Sequence, residues 1–276
     1  MTATTIGPAA AGAPLARPHR SRLGWAIADT KAVVWRNLTA LRRMPQLLVF
    51  STVQPVIFVL MFRYVFGGAI TIPGVDYVNY LMPGIFAQTV VFGATQTAIG
   101  LAEDLGRGLI ERFRSLPMAR SAVLAGRTLA DLTRNVFVVI LMLVVGYLVG
   151  FRVQTGLAGL LAGFVVILLF GFSLNWVFAC VGLTARDAET AQAMAFPVLA
   201  VLVFVSSAFV AVDSMPGWLQ PFAEYQPVSV AVDAVRSLML GGQFHDPARV
   251  VGSLLWSAGL IIVFAPLAVR IYRRTA

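Results

Sequence analysis

Six apolar runs of about 20 residues, separated by short charged or Gly/Pro-rich segments, constrain this chain more than any other feature. At a rise of about 1.5 Å per residue, a helical run of that length matches the hydrocarbon thickness of a bilayer. Only 12% of residues are Asp, Glu, Lys or Arg and 59% are hydrophobic, whereas soluble domains carry about 25% charged residues. The expected fold class is therefore an all-α integral membrane protein with six transmembrane helices. The spans fall at about 46–66, 80–102, 135–151, 157–183, 193–212 and 250–269.

Local signals refine this plan. Residues 1–20 are rich in Ala, Pro, Gly and Thr and lack the basic start and apolar core of a signal peptide, so they read as a disordered cytoplasmic tail. From 21 to 44, Leu23, Ile27, Val34, Leu38 and Leu41 recur near one helical face, with Trp25 and Trp35 at headgroup level. That predicts an interfacial amphipathic helix, with a plain cytoplasmic helix as the alternative. The transmembrane domain then covers 21–276. In the first span, Gln54-Pro55 predicts a kink and Arg63 lies close enough to the end to snorkel. Too few residues separate the third and fourth spans for anything but a tight antiparallel hairpin. Gly159 and Gly163 form a small-xxx-small step, and Ser173, Asn175 and Trp176 are expected to face the interior. Residues 184–192 read as a loop. Between 213 and 248, Pro216, Pro221 and Pro227 divide the chain into two short helices at the outer interface, with room to dip in and return.

Charge sets the expected orientation. Six spans place both termini on one side, where seventeen Lys and Arg residues fall: seven before the first span, six in 103–134, Arg186, and Arg270, Arg273 and Arg274. The other side receives only Arg63, Arg152, Arg236 and Arg249. The positive-inside rule then puts both termini in the cytoplasm. The same distribution accounts for the net charge of +9 without nucleic acid, because the basic residues flank apolar runs.

Much chemistry is missing. There is no G-x-x-x-x-G-K-[ST] phosphate loop, and Lys31 is the sole lysine. His19 and His245 are isolated, Cys180 is the one cysteine, and no Ser/His/Asp set recurs near a span, so neither catalytic nor metal-ligating residues are predicted. The spans are nearly free of ionisable groups of the kind that couple ion gradients to transport. A driving force, if there is one, has to come from another chain.

The segment 103–134 is the exception to this apolar economy: six Arg, two Asp and two Glu lie between two spans. Leu105, Leu109, Phe113 and Leu116 follow i, i+4, i+8, i+11 and make an apolar stripe, while Glu103 and Arg107 can pair at i, i+4. Pro117 ends this helix. Ser121 can cap a second one that runs through Arg127 and Asp131 into the third span. Such a charged island suits docking in a groove on a partner, and it equally suits resting on lipid headgroups.

Asp104, Gly108, Glu111-Arg112-Phe113-Arg114, Leu116-Pro117, Arg120 and Gly126-Arg127 resemble, in order, the signature loop of type-2 ATP-binding-cassette (ABC) exporter permeases, closest to the daunorubicin-resistance (DrrB-like) branch. The segments 215–222 (MPGWLQPF) and 226–229 (QPVS) resemble the stretch that precedes the last span in that family. The likeness runs through nearly the whole chain after the tail. It implies a multi-pass permease of the bacterial cytoplasmic membrane, working with a second copy, identical or homologous, and with two cytoplasmic ABC ATPase subunits. ATP and Mg would be bound by those subunits, with no cofactor in this chain, and the substrate would be a hydrophobic or amphipathic drug, natural product or lipid. On this resemblance Glu103, Asp104, Gly108, Glu111, Arg112, Phe113, Arg114, Pro117 and Arg120 form the ATPase-coupling contact, and Pro216, Trp218 and Pro227 belong to an outer cap or re-entrant gate. Gln54, Gln88, Gln96 and Asn175 are candidates for the substrate pathway, with helix–helix hydrogen bonding as the alternative. The rival readings are an ATP-independent channel or secondary transporter, and a non-transporting membrane anchor for an ATPase.

Overall fold

A computed structural model describes residues 45–70, 72–107 and 120–275. The expected tail, the interfacial helix at 21–44 and the centre of the island lie outside the described residues. Eight α-helices occur among those described: α1 (Pro45–Leu60), α2 (Tyr77–Gly106), α3 (Arg120–Leu148), α4 (Gly156–Thr184), α5 (Ala188–Phe204), α6 (Gln220–Tyr225), α7 (Pro227–Met239) and α8 (Pro247–Thr275). Four of these elements, α2, α3, α4 and α8, are long and apolar enough to cross a membrane, and α1 with its extension and α5 are shorter apolar helices. The end where α2 stops and α3 starts is the island end; the opposite one is the far end.

α2 is the axis of the bundle. In its most apolar stretch 72% of the residues are buried, against 11% in α8, so α8 is peripheral and presents most of its apolar surface outward. α2 can be surrounded because small residues admit its neighbours. Gly84 meets the backbone of Ala208, Val90 sits on Gly171 of α4, and the backbone at Ala98 closes on Gly182. At the island end a second apolar cluster joins Leu101, Leu124, Trp176, Leu183 and Tyr272, tying α2, α3, α4 and α8 together. Ser173, Asn175 and Trp176 do face the interior.

Several boundaries differ from expectation for identifiable reasons. α1 continues through Pro55 and changes only after Leu60, where Met61–Phe66 form a π-helix. The widened turn aligns Phe62 with Phe209, ring centroids 4.5 Å apart and nearly parallel. α3 is described from Arg120, and Ser121 lies inside it rather than capping it. The hairpin between α3 and α4 is as tight as expected, with 149–155 as its connection. The loop expected at 184–192 is shorter than predicted, because Asp187 caps α5 by accepting the Thr190 N–H at 2.7 Å. This bond also holds the Asp187 carboxyl below its ordinary pKa.

The fifth apolar run shows the largest departure. Its helix stops at Phe204, and residues 205–211 continue without regular α-helix while still buried at Ser206, Ser207, Ala208 and Phe209. Carbonyls freed in this way need donors, since hydrocarbon offers none. Gln226 donates to Leu202 and Val205, Tyr77 to Phe209, Tyr80 to Ser207, and Arg236 to Ser207 and Ala208. The expected short helices between 213 and 248 are α6 and α7. Pro227 opens α7, which buries Val228 through Val232 and Val235 inside the bundle rather than lying on its surface. Gly159 and Gly163 serve this packing, facing Leu238 and Met239 of the same chain.

Candidate functional site

At the island end, the second half of α2 and the first half of α3 are joined by a set of charged side chains. Arg127 reaches Asp104 at 3.3 Å, Asp131 at 3.4 Å and the Gln96 carbonyl at 3.3 Å. Asp131 also accepts from the Thr97 hydroxyl at 2.7 Å, and Arg134 donates to the Gly93 carbonyl at 2.6 Å. The two carboxylates and two guanidiniums balance in charge and are mostly shielded from solvent, Asp131 and Arg134 most of all. Gly93, Thr97, Gly100 and Asp104 fall at i, i+4, i+7 and i+11, so α2 turns one small or polar stripe towards α3. Arg127, Asp131 and Arg134 form the matching stripe on α3.

This cluster moves two residues of the island, expected to end before a third span at about 135–151, into the apolar helix that covers Gly126–Leu148. Asp131 and Arg134 lie within α3 and pack against the middle of α2. They can do so because each meets an opposite charge or a backbone carbonyl. Of the expected coupling residues, Glu103 pairs with Arg107 at 3.4 Å on an exposed face, as its i, i+4 spacing predicts. Asp104 faces Arg127, and Arg120 is the first described residue of α3. Gly108, Glu111, Arg112, Phe113, Arg114 and Pro117 lie outside the described residues. Arg63, expected to snorkel, has a buried Nε with no hydrogen-bond partner among the described residues.

The far end holds a second polar centre. Arg236 of α7 is 2% exposed, yet all three of its guanidinium nitrogens donate hydrogen bonds. Nε donates to the Tyr80 carbonyl at 3.1 Å, one terminal nitrogen to Asp233 at 2.9 Å, and the other to Ser207 at 2.5 Å and to Ala208 at 3.3 Å. The Tyr80 ring covers it 3.6 Å from the centroid. Beside it opens a cavity of about 370 Å³, walled by Tyr80, Asp213, Asp233, Arg236 and Arg249 among others. Arg249 pairs with Glu224 at 2.9 Å and tethers α8 to α6 in the cavity wall. Pro216 and the exposed Trp218 lie on the segment leading to α6, and Pro227 forms the first turn of α7.

The four polar span residues separate into two pairs. Gln54 and Gln96 are exposed on the bundle surface, whereas Gln88 and Asn175 are buried, with both amide atoms lacking a hydrogen-bond partner among the described residues. The residues that sequence reasoning missed are Thr97, Gly100 and Arg134 at the island end, and Tyr80, Gln226 and Asp233 at the far end. The first set was accessible through the helical spacing of Gly93, Thr97, Gly100 and Asp104. The second had no local signal, because its members come from distant segments.

A bundle of helices suited to crossing a membrane, with a charged island at one end and a polar cavity at the other, defines a multi-pass membrane protein. This chain belongs to the ABC-2 type transporter family, whose model matches residues 28–240. It is 38% identical over 258 residues to the daunorubicin resistance ABC transporter permease protein DrrB1 of Streptomyces coeruleorubidus, covering 93% of this chain and 89% of that one. It is 31% identical over 252 residues to the probable doxorubicin resistance ABC transporter permease protein DrrC of Mycobacterium tuberculosis, covering 91% and 90% respectively. A more distant likeness, 22% over 216 residues, covers 77% of this chain and 74% of the putative transport permease ycf38 of Cyanophora paradoxa.

Proposed function

We propose that this chain is the permease subunit of an ATP-driven exporter that moves hydrophobic or amphipathic drugs, natural products or lipids out across the cytoplasmic membrane. The observation that carries the reading is a charged island set between two helices long enough to span, in a chain with no phosphate loop of its own. Energy then enters through a docking contact. The partners are two copies of an ABC ATPase, which hold ATP and Mg, and a second permease, identical or homologous. The island end faces the cytoplasm, in keeping with the excess of Lys and Arg there. Six crossings result when the π-helix completes the first and residues 205–211 complete the fifth.

In this reading Glu103, Asp104, Gly108, Glu111, Arg112, Phe113, Arg114, Pro117 and Arg120 form or shape the ATPase contact. α6 and α7, with Pro216, Trp218 and Pro227, form the outer gate beside the far-end cavity. Gln54 and Gln96, exposed on the single chain, are placed to meet substrate or the second permease. Gln88 and Asn175 would join the pathway only in a conformation that opens the bundle. Drug resistance in the names of the relatives supports an amphipathic substrate.

The test is the double variant Glu111→Ala/Arg112→Ala in the reconstituted complex. ATP hydrolysis should continue while transport of daunorubicin falls by about tenfold or more, a coupling loss on the order of 1.4 kcal/mol. Undiminished transport by this variant would remove the assignment of the island, and transport without any ATPase would favour a passive channel.

A further inference from the structure

We propose that Arg127, seated in the notch left by Gly100, is a positioning residue for energy coupling: it clamps α2 and α3 so that both move as one body when the segment between them is pushed. The inference rests on the exporter reading above and adds residues that reading does not contain.

Three observations support it. First, the side-chain hydrogen bonds between α2 and α3 among the described residues cluster where force would enter. At the far end the same two helices meet through Met82 of α2 against Gly146 of α3. At the island end the contact is made by Asp104, Arg127, Asp131, Thr97 and Arg134. Apolar packing would hold the helices together at least as well, since buried ion pairs return little net stability. What directional hydrogen bonds add is a defined register and rotation between the two helices.

Second, the pairings run in antiparallel order, Asp104 with Arg127, Thr97 with Asp131, and Gly93 with Arg134. Any sliding of one helix along the other breaks all of them together. A ladder of this kind resists shear, and shear is the motion that would dissipate a push on the intervening segment.

Third, Arg127 alone bridges three groups, the Asp104 and Asp131 carboxylates and the Gln96 carbonyl. It has room to do so only because residue 100 is glycine. A methyl group there would overlap the guanidinium itself, the far end of a side chain that can swing away. Gly100→Ala should therefore leave α2 folded, alanine being the better helix former, while ejecting Arg127 from its three partners.

The experiment uses the full permease reconstituted with its ATPase partner in proteoliposomes, with ATP-dependent daunorubicin uptake and ATP hydrolysis measured on the same vesicles. For Gly100→Ala we expect uptake per ATP hydrolysed to fall about tenfold, with hydrolysis itself within about twofold of the unmodified complex. Arg127→Ala should match it. The double variant Gly100→Ala/Arg127→Ala should be no worse than Arg127→Ala alone, because the alanine methyl then has nothing to displace. Uptake per ATP that Gly100→Ala leaves unchanged overturns the clamp alone, as does a double variant in which the two losses multiply. If Gly100→Ala does not assemble, Arg127→Lys decides. Its ammonium keeps the charge but cannot direct donors at three partners, so partial uncoupling supports the clamp and full coupling overturns it. An unmodified complex without ATP-dependent uptake overturns the exporter reading, and the proposal falls with it.

Discussion

Arg236 illustrates how one side chain can organise backbone from distant parts of a chain. Its donors reach carbonyls at Tyr80, Ser207 and Ala208, and its charge is met by Asp233. A guanidinium can serve these directions at once because its planar fork fixes five N–H groups, whereas an ammonium cannot. Removing it leaves the Asp233 carboxylate half-shielded without its cation and strips the 205–209 segment of a principal donor. We predict that Arg236→Ala costs about 3–5 kcal/mol, as expected for breaking a buried charge pair on one side. A lowered midpoint of thermal inactivation in detergent would show it, and Arg236→Lys should not restore the wild-type value. At the island end Arg127 and Asp131 were readable as an i, i+4 pair. The spacing of Gly100 on the α2 stripe was readable too, but not that the Arg127 guanidinium fills the space it leaves, because a glycine announces only room.

At the scale of elements, the short α5 is the most informative. Hydropathy alone extends the fifth span to about residue 212, since residues 205–211 are as apolar as the helix before them. The helix nevertheless stops at Phe204, where Gln226 supplies replacement donors to Leu202 at 2.8 Å and Val205 at 2.9 Å. Gln226 also opens α7 by accepting from the Val228 N–H through its side-chain oxygen at 3.3 Å. One amide thus ends one helix and starts another. Gln226→Ala should cost about 1–3 kcal/mol, the penalty for buried carbonyls left without partners. Faster amide hydrogen exchange across 202–209, with α2 and α4 unaffected, would be the signature; unchanged protection there would refute the account. The N-terminal limit of α5 was legible in principle, because Asp187 is followed three residues later by Thr190, whose N–H it caps. The C-terminal limit was not, since its cause lies about 20 residues away in another element.

Across the whole molecule, orientation is the property most open to direct test. Cys180 is buried in the bundle, so it should stay silent towards a membrane-impermeant maleimide. A cysteine introduced at Arg186 should be labelled only from the cytoplasmic side of intact cells, and one at His245 only from outside. Labelling of both positions from the same side would contradict the orientation. The amino-acid order by itself determined the class of this protein, its apolar spans, the charge asymmetry between its ends and the island between the second and third spans. These follow from local composition, because a bilayer sorts a chain by hydropathy and charge over windows of about 20 residues. Tertiary structure decided which helix became the axis, where α5 stopped, and how Arg236 came to serve the Tyr80 carbonyl, 156 residues away in sequence, together with those of Ser207 and Ala208. It also joined the two stripes that flank the island into one clasp. Those outcomes depend on donors, carbonyls and small residues meeting across distant segments, and only the packed bundle brings them within hydrogen-bonding reach.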